Sequence, residues 1–195
     1  MSYIAMYEKK VVMNTLHPTI WRTCRVLSNE SRLKLLWQLF HLGKASVSEL
    51  GNLVGLSEPV ASSYLRALNA RGLISPERQR TFVFYRLKAN PEVAHAERML
   101  LAMKTCWEGR VSFSDVTHQM TAFTHSRRID IVRALSGGAL EEAQLSVKTS
   151  ISPQALYRHV EKLVSRGFVK KRGHVVQLLE PDAALSRALL EMVLD

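Results

Sequence analysis

From Ile20 onward, apolar positions fall three and four apart, the spacing that gathers them on one face of a helix. Residues 1–18 give no clear period, and His17-Pro18 sets them off as an N-terminal extension. IWRTCRVL then places Ile20, Cys24 and Leu27 on one stripe. Asn29 can cap the next helix, in which Leu33, Leu36, Leu39 and Phe40 share a face until Gly43 ends it. Ser46, with Glu49 three residues on, is a capping box for the short helix VSELGNLV, which Gly55 closes. Ser57 caps the following helix. Pro59 is tolerated there because its missing N–H falls in the first turn. After Gly72 the period changes: LISPERQRTFVFYRLK predicts strand, charged turn, strand. Asn90-Pro91 is a boundary. Glu92 to about Trp107 predicts one long helix with Val93, Ala96, Leu100 and Met103 on a stripe.

The second half runs through the same series. Ser112 and Asp115 form a capping box, and SRRIDIVRAL sets Ile129, Val132 and Leu135 at helical spacing before Gly137-Gly138. Leu140 to Thr149 predicts a short helix, and Ser152 caps the next, with Pro153 at its first position. FVKKRGHVVQLL predicts a shorter hairpin with Gly173 at its tip, and Pro181 starts a closing helix to about Leu194. LSEPVASSYLRALNARGLI (56–74) and ISPQALYRHVEKLVSRGFV (151–169) align at an offset of 95: Ser57 on Ser152, Leu65 on Val160, Leu68 on Leu163, Arg71-Gly72 on Arg166-Gly167. The first helices of the two units align at 96. A unit repeated once implies two small similar domains. The predicted fold is mainly α with small β-hairpin wings (α+β), as tandem winged helix-turn-helix domains. Its parts are an extension (1–18), a first unit (19–90), a connecting helix (91–110) and a second unit (111–195).

Composition narrows the partner. Of 195 residues 47% are hydrophobic, enough for a core, and the net charge of +10 favours an anionic partner such as a polyphosphate backbone. The charge is uneven. Residues 1–110 carry 16 Lys and Arg against 8 Asp and Glu, whereas residues 111–195 carry 11 against 9. Two cysteines, Cys24 and Cys106, form no disulfide framework and read as small buried hydrophobes. No apolar run approaches the roughly 18 residues of a membrane span, and MSYIAMYEKKVVM is a poor signal peptide. The expected location is cytoplasmic and nucleoid-associated, with no membrane partner.

Double-stranded DNA is the partner these elements fit. In the helix from Ser57 to Arg71, Ala61, Leu65 and Leu68 pack inward, while Glu58, Pro59, Ser62, Ser63 and Arg66 face out. In the helix from Ser152 to Arg166, Leu156, Val160 and Leu163 pack inward. Gln154, Tyr157, Arg158 and Lys162 face out, with His159 at the border. A major groove admits one α-helix, where Gln pairs with adenine and Arg with guanine. The hairpins add charge: Arg78, Gln79 and Arg80 at the first tip, and Lys170, Lys171, Arg172 and His174 around the second. Such tips can follow the phosphate backbone and give salt-dependent affinity. The run Phe82-Val83-Phe84-Tyr85 puts apolar residues on both faces of its strand.

VLSNESRLKLLWQLF, VSELGNLVGLSEPVASSYLRALNARGLI and RQRTFVFYRL together resemble the ArsR-type winged helix-turn-helix of prokaryotic transcription regulators, over about Thr19 to Trp107. Asn29-Glu30-Ser31-Arg32 stands where that family has Asp-Pro-Thr-Arg, and Leu56-Ser57-Glu58-Pro59 matches its entry to the recognition helix. The second unit resembles a winged helix more generally. The resemblance implies a dimeric DNA-binding regulator, usually a repressor, pairing through the flanking helices, here Thr19–Leu27 and Glu92–Trp107. With two units in one chain, the pair becomes either an intramolecular pseudo-dimer reading two unlike half-sites or a homodimer of first units. Many relatives sense metals, but this chain departs from them. VSELGNLV has no cysteine, His95 and Glu97 face different sides, and Asp115, His118 and His125 are a weak candidate set. Neither a metal nor another cofactor is expected. No nucleophile elbow, phosphate-cradling glycine loop or Cys-His pair suggests an enzyme. The effector is unknown, and the alternative is a tandem winged-helix protein-interaction module in a chromosome-associated assembly.

Overall fold

The computed structural model describes residues 19–195, so the expected extension over residues 1–18 lies outside the described residues. The first unit begins with α1 (Ile20–Leu27) and α2 (Glu30–Leu42), followed by a short strand β1 (Lys44–Ser46). Next come α3 (Val47–Val54), α4 (Glu58–Asn69), the hairpin β2 (Ile74–Gln79) and β3 (Phe82–Leu87), and α5 (Ala96–Glu108). The second unit repeats the order with α6 (Phe113–Met120), a 3₁₀ turn (Thr121–Phe123), α7 (Ser126–Ala134) and β4 (Leu140–Glu141). It continues with α8 (Glu142–Thr149), α9 (Pro153–Val164), β5 (Val169–Arg172), β6 (Val175–Leu178) and α10 (Ala184–Leu194).

Local chemistry accounts for most of these bounds. The Asn29 side chain accepts from the Arg32 N–H at 3.0 Å to start α2. Ser46 and Glu49 close the expected capping box of α3. Ser112 accepts from the Asp115 N–H, and its hydroxyl in turn donates to the Asp115 carboxylate at 2.7 Å. The turn after α3 needs a left-handed residue. Gly55 supplies it without cost in the first unit, and Ser150 adopts φ 54° in the second. Inside α3, Gly51 permits a close approach to α4, because a Cβ there would stand 3.1 Å from the Leu56 carbonyl oxygen. The matching residue, Ser146, turns its hydroxyl to the Ile151 carbonyl at 2.7 Å.

Three expectations are corrected. Each wing is a three-stranded antiparallel sheet, not a two-stranded hairpin, with orders β1-β3-β2 and β4-β6-β5. The extra strands pair Ala45 with Tyr85 and Leu140 with Val176. They tie each short helix to the base of its wing. The connecting helix begins at Ala96, not Glu92. The Asn90 side chain accepts from the Glu92 N–H, His95 takes φ 63°, and Val93 leaves the predicted stripe to pack on Gly72. The buried face of α5 is therefore Ala96, Met99, Ala102, Met103 and Cys106. Likewise α10 starts at Ala184, three residues beyond Pro181.

The two units share one hydrophobic core. α1 packs on the 3₁₀ turn and α6, and α5 packs on α10. Each of these helices thus lies against its own repeat mate, as across a two-fold axis. α5 and α10 run antiparallel: Arg98, near the start of α5, pairs with Glu191 and with Asp195 near the end of α10. Trp37 and Phe113 join the units with ring centroids 5.6 Å apart, and Phe40 stacks on Trp107 at 5.6 Å. Cys24 and Cys106 are buried as expected. Desolvation pushes the Cys24 thiol up to about 12 and the Cys106 thiol up to about 11.

A second repeat signature is an arginine. Arg32 donates Nε to the Val26 carbonyl and Nη2 to the Arg25 carbonyl. Arg128, 96 residues on, donates Nε to the Ala122 carbonyl and Nη2 to the Thr121 carbonyl. Each guanidinium satisfies carbonyls at the end of the preceding helical segment and fixes how the next helix leaves it. Arg128 is 9% exposed. The pattern of SRRIDIVRAL offered no reason to place a charge inside.

Candidate nucleic-acid interface

In both units the three-helix frame holds one helix with a bare polar face. In α4, Ala61, Leu65 and Leu68 are buried, whereas Ser57, Glu58, Pro59, Ser63 and Arg66 are exposed and Ser62 is half-buried. In α9, Ala155, Leu156, Val160 and Leu163 are buried; Gln154, Tyr157 and Arg158 are exposed, and Lys162 is half-buried. Ser57 and Ser152 occupy the N-cap positions, but neither hydroxyl makes a cap hydrogen bond. A proline in each first turn presets the helical φ, so the helix start does not rest on a hydroxyl bond. Both hydroxyls are left facing outward beside the N–H groups of a helix N-terminus, a favourable place for a phosphate oxygen.

The first wing sends two uncommitted cations to its tip. Arg78 pairs in register with Val83, Arg80 forms the turn at φ 54°, and both are exposed without an ion pair among the described residues. Gln79 is instead engaged with Glu77, which also holds Lys44 at 2.7 Å. These partners hold the Glu77 carboxyl below its usual range, the Lys44 hydrogen bond most of all. Of the aromatic run, Tyr85 is buried. Phe84 lies beneath the Lys44 ammonium, and Phe82 is 62% exposed near the tip.

The second wing differs. Lys171 is ion-paired with Glu142 at 2.7 Å, each side chain 21% exposed, and its ammonium lies 5.0 Å from the centre of the Tyr157 ring. His174 reaches the same carboxylate at 3.5 Å. Lys170 is half-buried and Arg172 exposed, and neither has an ion pair among the described residues. On α9, burial and then the neighbouring Arg166 and Arg128 lower the Lys162 pKa. His159 packs on His125 with ring centroids 4.7 Å apart. Burial, then the neighbouring His125, Arg128, Arg127 and Arg158, push His159 down to about 4. The His125 side chain caps α7 by accepting from the Arg127 N–H.

The candidate metal trio is dispersed. Asp115 is bound by Ser112, His118 faces the Ser165 carbonyl, and His125 lies beyond the 3₁₀ turn against His159. No group of three such ligands converges among the described residues. No described helix is long and apolar enough to cross a membrane.

A short helix, a left-handed turn, an outward-facing second helix and a three-stranded wing define a winged helix-turn-helix, and this chain contains two. Residues 29–75 match the family model described as "Bacterial regulatory protein, arsR family", and residues 123–172 match a model described as "Helix-turn-helix domain". The first unit therefore carries an ArsR-type helix-turn-helix, and the second carries a further helix-turn-helix. The two matches support a DNA-binding regulator of transcription, a class that is typically non-enzymatic. No curated protein matches the chain.

Proposed function

We propose that this chain is a sequence-specific transcription regulator, a repressor, working as an intramolecular pseudo-dimer with α4 and α9 as its two reading heads. One observation carries the reading: the flanking helices expected to dimerise bury their apolar faces against the other unit, while both second helices keep their polar faces bare. The proposed roles follow side-chain chemistry. Ser57, Ser62, Ser63 and Ser152 suit phosphate oxygens or base edges. Gln154 suits adenine, and Arg66 and Arg158 suit guanine. Arg78, Arg80, Lys170 and Arg172 would follow the backbone. The ion pair with Glu142 makes Lys171 a fastener of the wing to α8.

Paired heads that contact one DNA face stand about one helical turn apart. The outer residues of α4 and α9 differ, so the two half-sites should differ. Selection from a random duplex library, with the mass of the complex measured in solution, tests this. One chain on a site of two unlike halves is expected. A strict palindrome bound by two chains would overturn the pseudo-dimer. The repressor output predicts less transcript from a template whose promoter overlaps the selected site.

A further inference from the structure

We propose that the groove between α1 and the C-terminal end of α4 is a binding site for a small organic phosphate. Arg22, Arg25 and Arg71 would hold its phosphate group, and Trp21 would form a wall for its apolar part. The groove has a volume of about 300 Å³ and is lined by Trp21, Arg22, Arg25, Val26, Ala67, Ala70 and Arg71. Three of the seven are arginines, and none is acidic. The Arg22 and Arg25 guanidiniums lie 5.1 and 5.7 Å from the centre of the Trp21 ring, so the indole gathers two cations at one end of the groove. Arg71 enters from the other side. Its Nη1 is buried and has no hydrogen-bond partner among the described residues. A buried guanidinium N–H without an acceptor costs free energy, and neighbouring like charges add to the cost. Burial and then Arg22 lower the Arg71 pKa accordingly.

The second unit serves as an internal control. There the matching Arg166 donates Nε to the Thr121 hydroxyl and Nη1 to the Ser165 hydroxyl. The residues matching Arg22 and Arg25 are His118 and Thr121. Protein acceptors thus serve the arginine in one repeat, and cations surround it in the other. A phosphate dianion at the groove would accept from Arg71 and offset two of the three arginine charges, in the bidentate geometry that guanidinium favours. Val26, Ala67 and Ala70 leave room for an apolar body beside it. The site belongs to the free protein and does not depend on DNA reading.

Calorimetric titration of the full chain with phenyl phosphate and with inorganic phosphate, at constant ionic strength set by chloride, tests the proposal. Saturable 1:1 binding is expected, tighter for phenyl phosphate. R71Q and the double variant R22Q/R25Q should each weaken it at least tenfold, while the wing variant R78Q/R80Q leaves it unchanged. Circular dichroism reports whether each variant is folded. R71K, which keeps the charge but loses the planar fork, should bind phenyl phosphate more weakly than the parent chain. Unsaturable binding, or equal weakening by the wing variant, would mean general charge attraction and overturn the site. Displacement of phenyl phosphate by duplex DNA, with R71Q weakening DNA binding as much as the wing variant does, would make these arginines backbone contacts and overturn it too.

Discussion

Replacing both Arg78 and Arg80 by alanine should change the salt dependence of DNA binding, whereas Lys171→Ala should not. Both arginines are exposed at the tip of the first wing and have no ion pair among the described residues. Each phosphate neutralised contributes about 0.9 to the slope of log K against log salt. The double variant should therefore flatten the slope by about 1.8. Between 50 and 200 mM salt, a fourfold range, two lost contacts amount to about tenfold in affinity. The variant's deficit should accordingly be about tenfold larger at 50 mM than at 200 mM. Lys171 stands the other way. Its ammonium is held by Glu142 at 2.7 Å, with both side chains largely buried. Its removal leaves a partly desolvated carboxylate, costing about 1–2 kcal/mol of stability, and should shift the slope by no more than about 0.3. Fluorescence anisotropy on one labelled duplex at four or more salt concentrations measures all three slopes. Urea unfolding measures the stabilities. Equal flattening by Lys171→Ala and by the arginine pair would refute the distinction between fastener and backbone contact.

Further outcomes follow from comparing the two units. Gly72 and Gly167 take φ 69° and 73°, but a Cβ would meet the Val93 Cβ at 2.8 Å in the first and nothing within 4 Å in the second. Gly167→Ala should cost about 1 kcal/mol from left-handed strain, and Gly72→Ala about 1–3 kcal/mol more from the clash; equal urea midpoints would count against this packing. Ser150→Gly should raise stability by about 0.5–1 kcal/mol by relieving φ 54°, and a lower midpoint would contradict it. His159, pushed down to about 4, is neutral in the fold, and its ordinary value is near 6.5. Its contribution is fully present above about pH 6.5 and is lost as pH falls through about 4. After discounting for solvent screening it is no more than about 1 kcal/mol. His159→Gln should lose less stability than the parent chain between pH 7 and pH 4, and identical acid curves would remove the histidine pair from the account.

The helices were legible because each has one apolar stripe, and Ile20, Cys24 and Leu27 or Leu156, Val160 and Leu163 are all buried as their spacing required. The third strands were not. β4 is two residues long and β1 three, too short for an alternation to register, and their pairing with β6 and β3 is a long-range event. The start of α5 was misread because Val93 continues the helical period, while its real partner is Gly72 in the preceding turn. Lys171 and Arg128 show a further limit. A basic residue in a pattern reads as solvated, yet Glu142 takes one and three oxygens around the 3₁₀ turn take the other. The outward faces of α4 and α9 were readable from periodicity alone. Which of their cations remain uncommitted was not.

Periodicity also says which faces are buried, never against what. The stripes of α1 and α5 would serve equally well in a homodimer. In the structure α6, the 3₁₀ turn and α10 cover them, each the repeat mate of what it covers. A homodimer must present the same helix twice, so its operator is held to matching halves. When the mate belongs to the same chain that constraint falls away, and the frame and the reading faces are free to differ in how closely they match. The two units show this division. Frame residues agree in chemistry and bonding: Arg32 with Arg128, Leu68 with Leu163, Gly72 with Gly167. The outward faces do not: Ser62 stands opposite Tyr157, Ser63 opposite Arg158, and Arg66 opposite Glu161. Substitution on α4 should therefore change preference at one half-site and leave the other as it was, a result that a symmetric dimer has no means of giving.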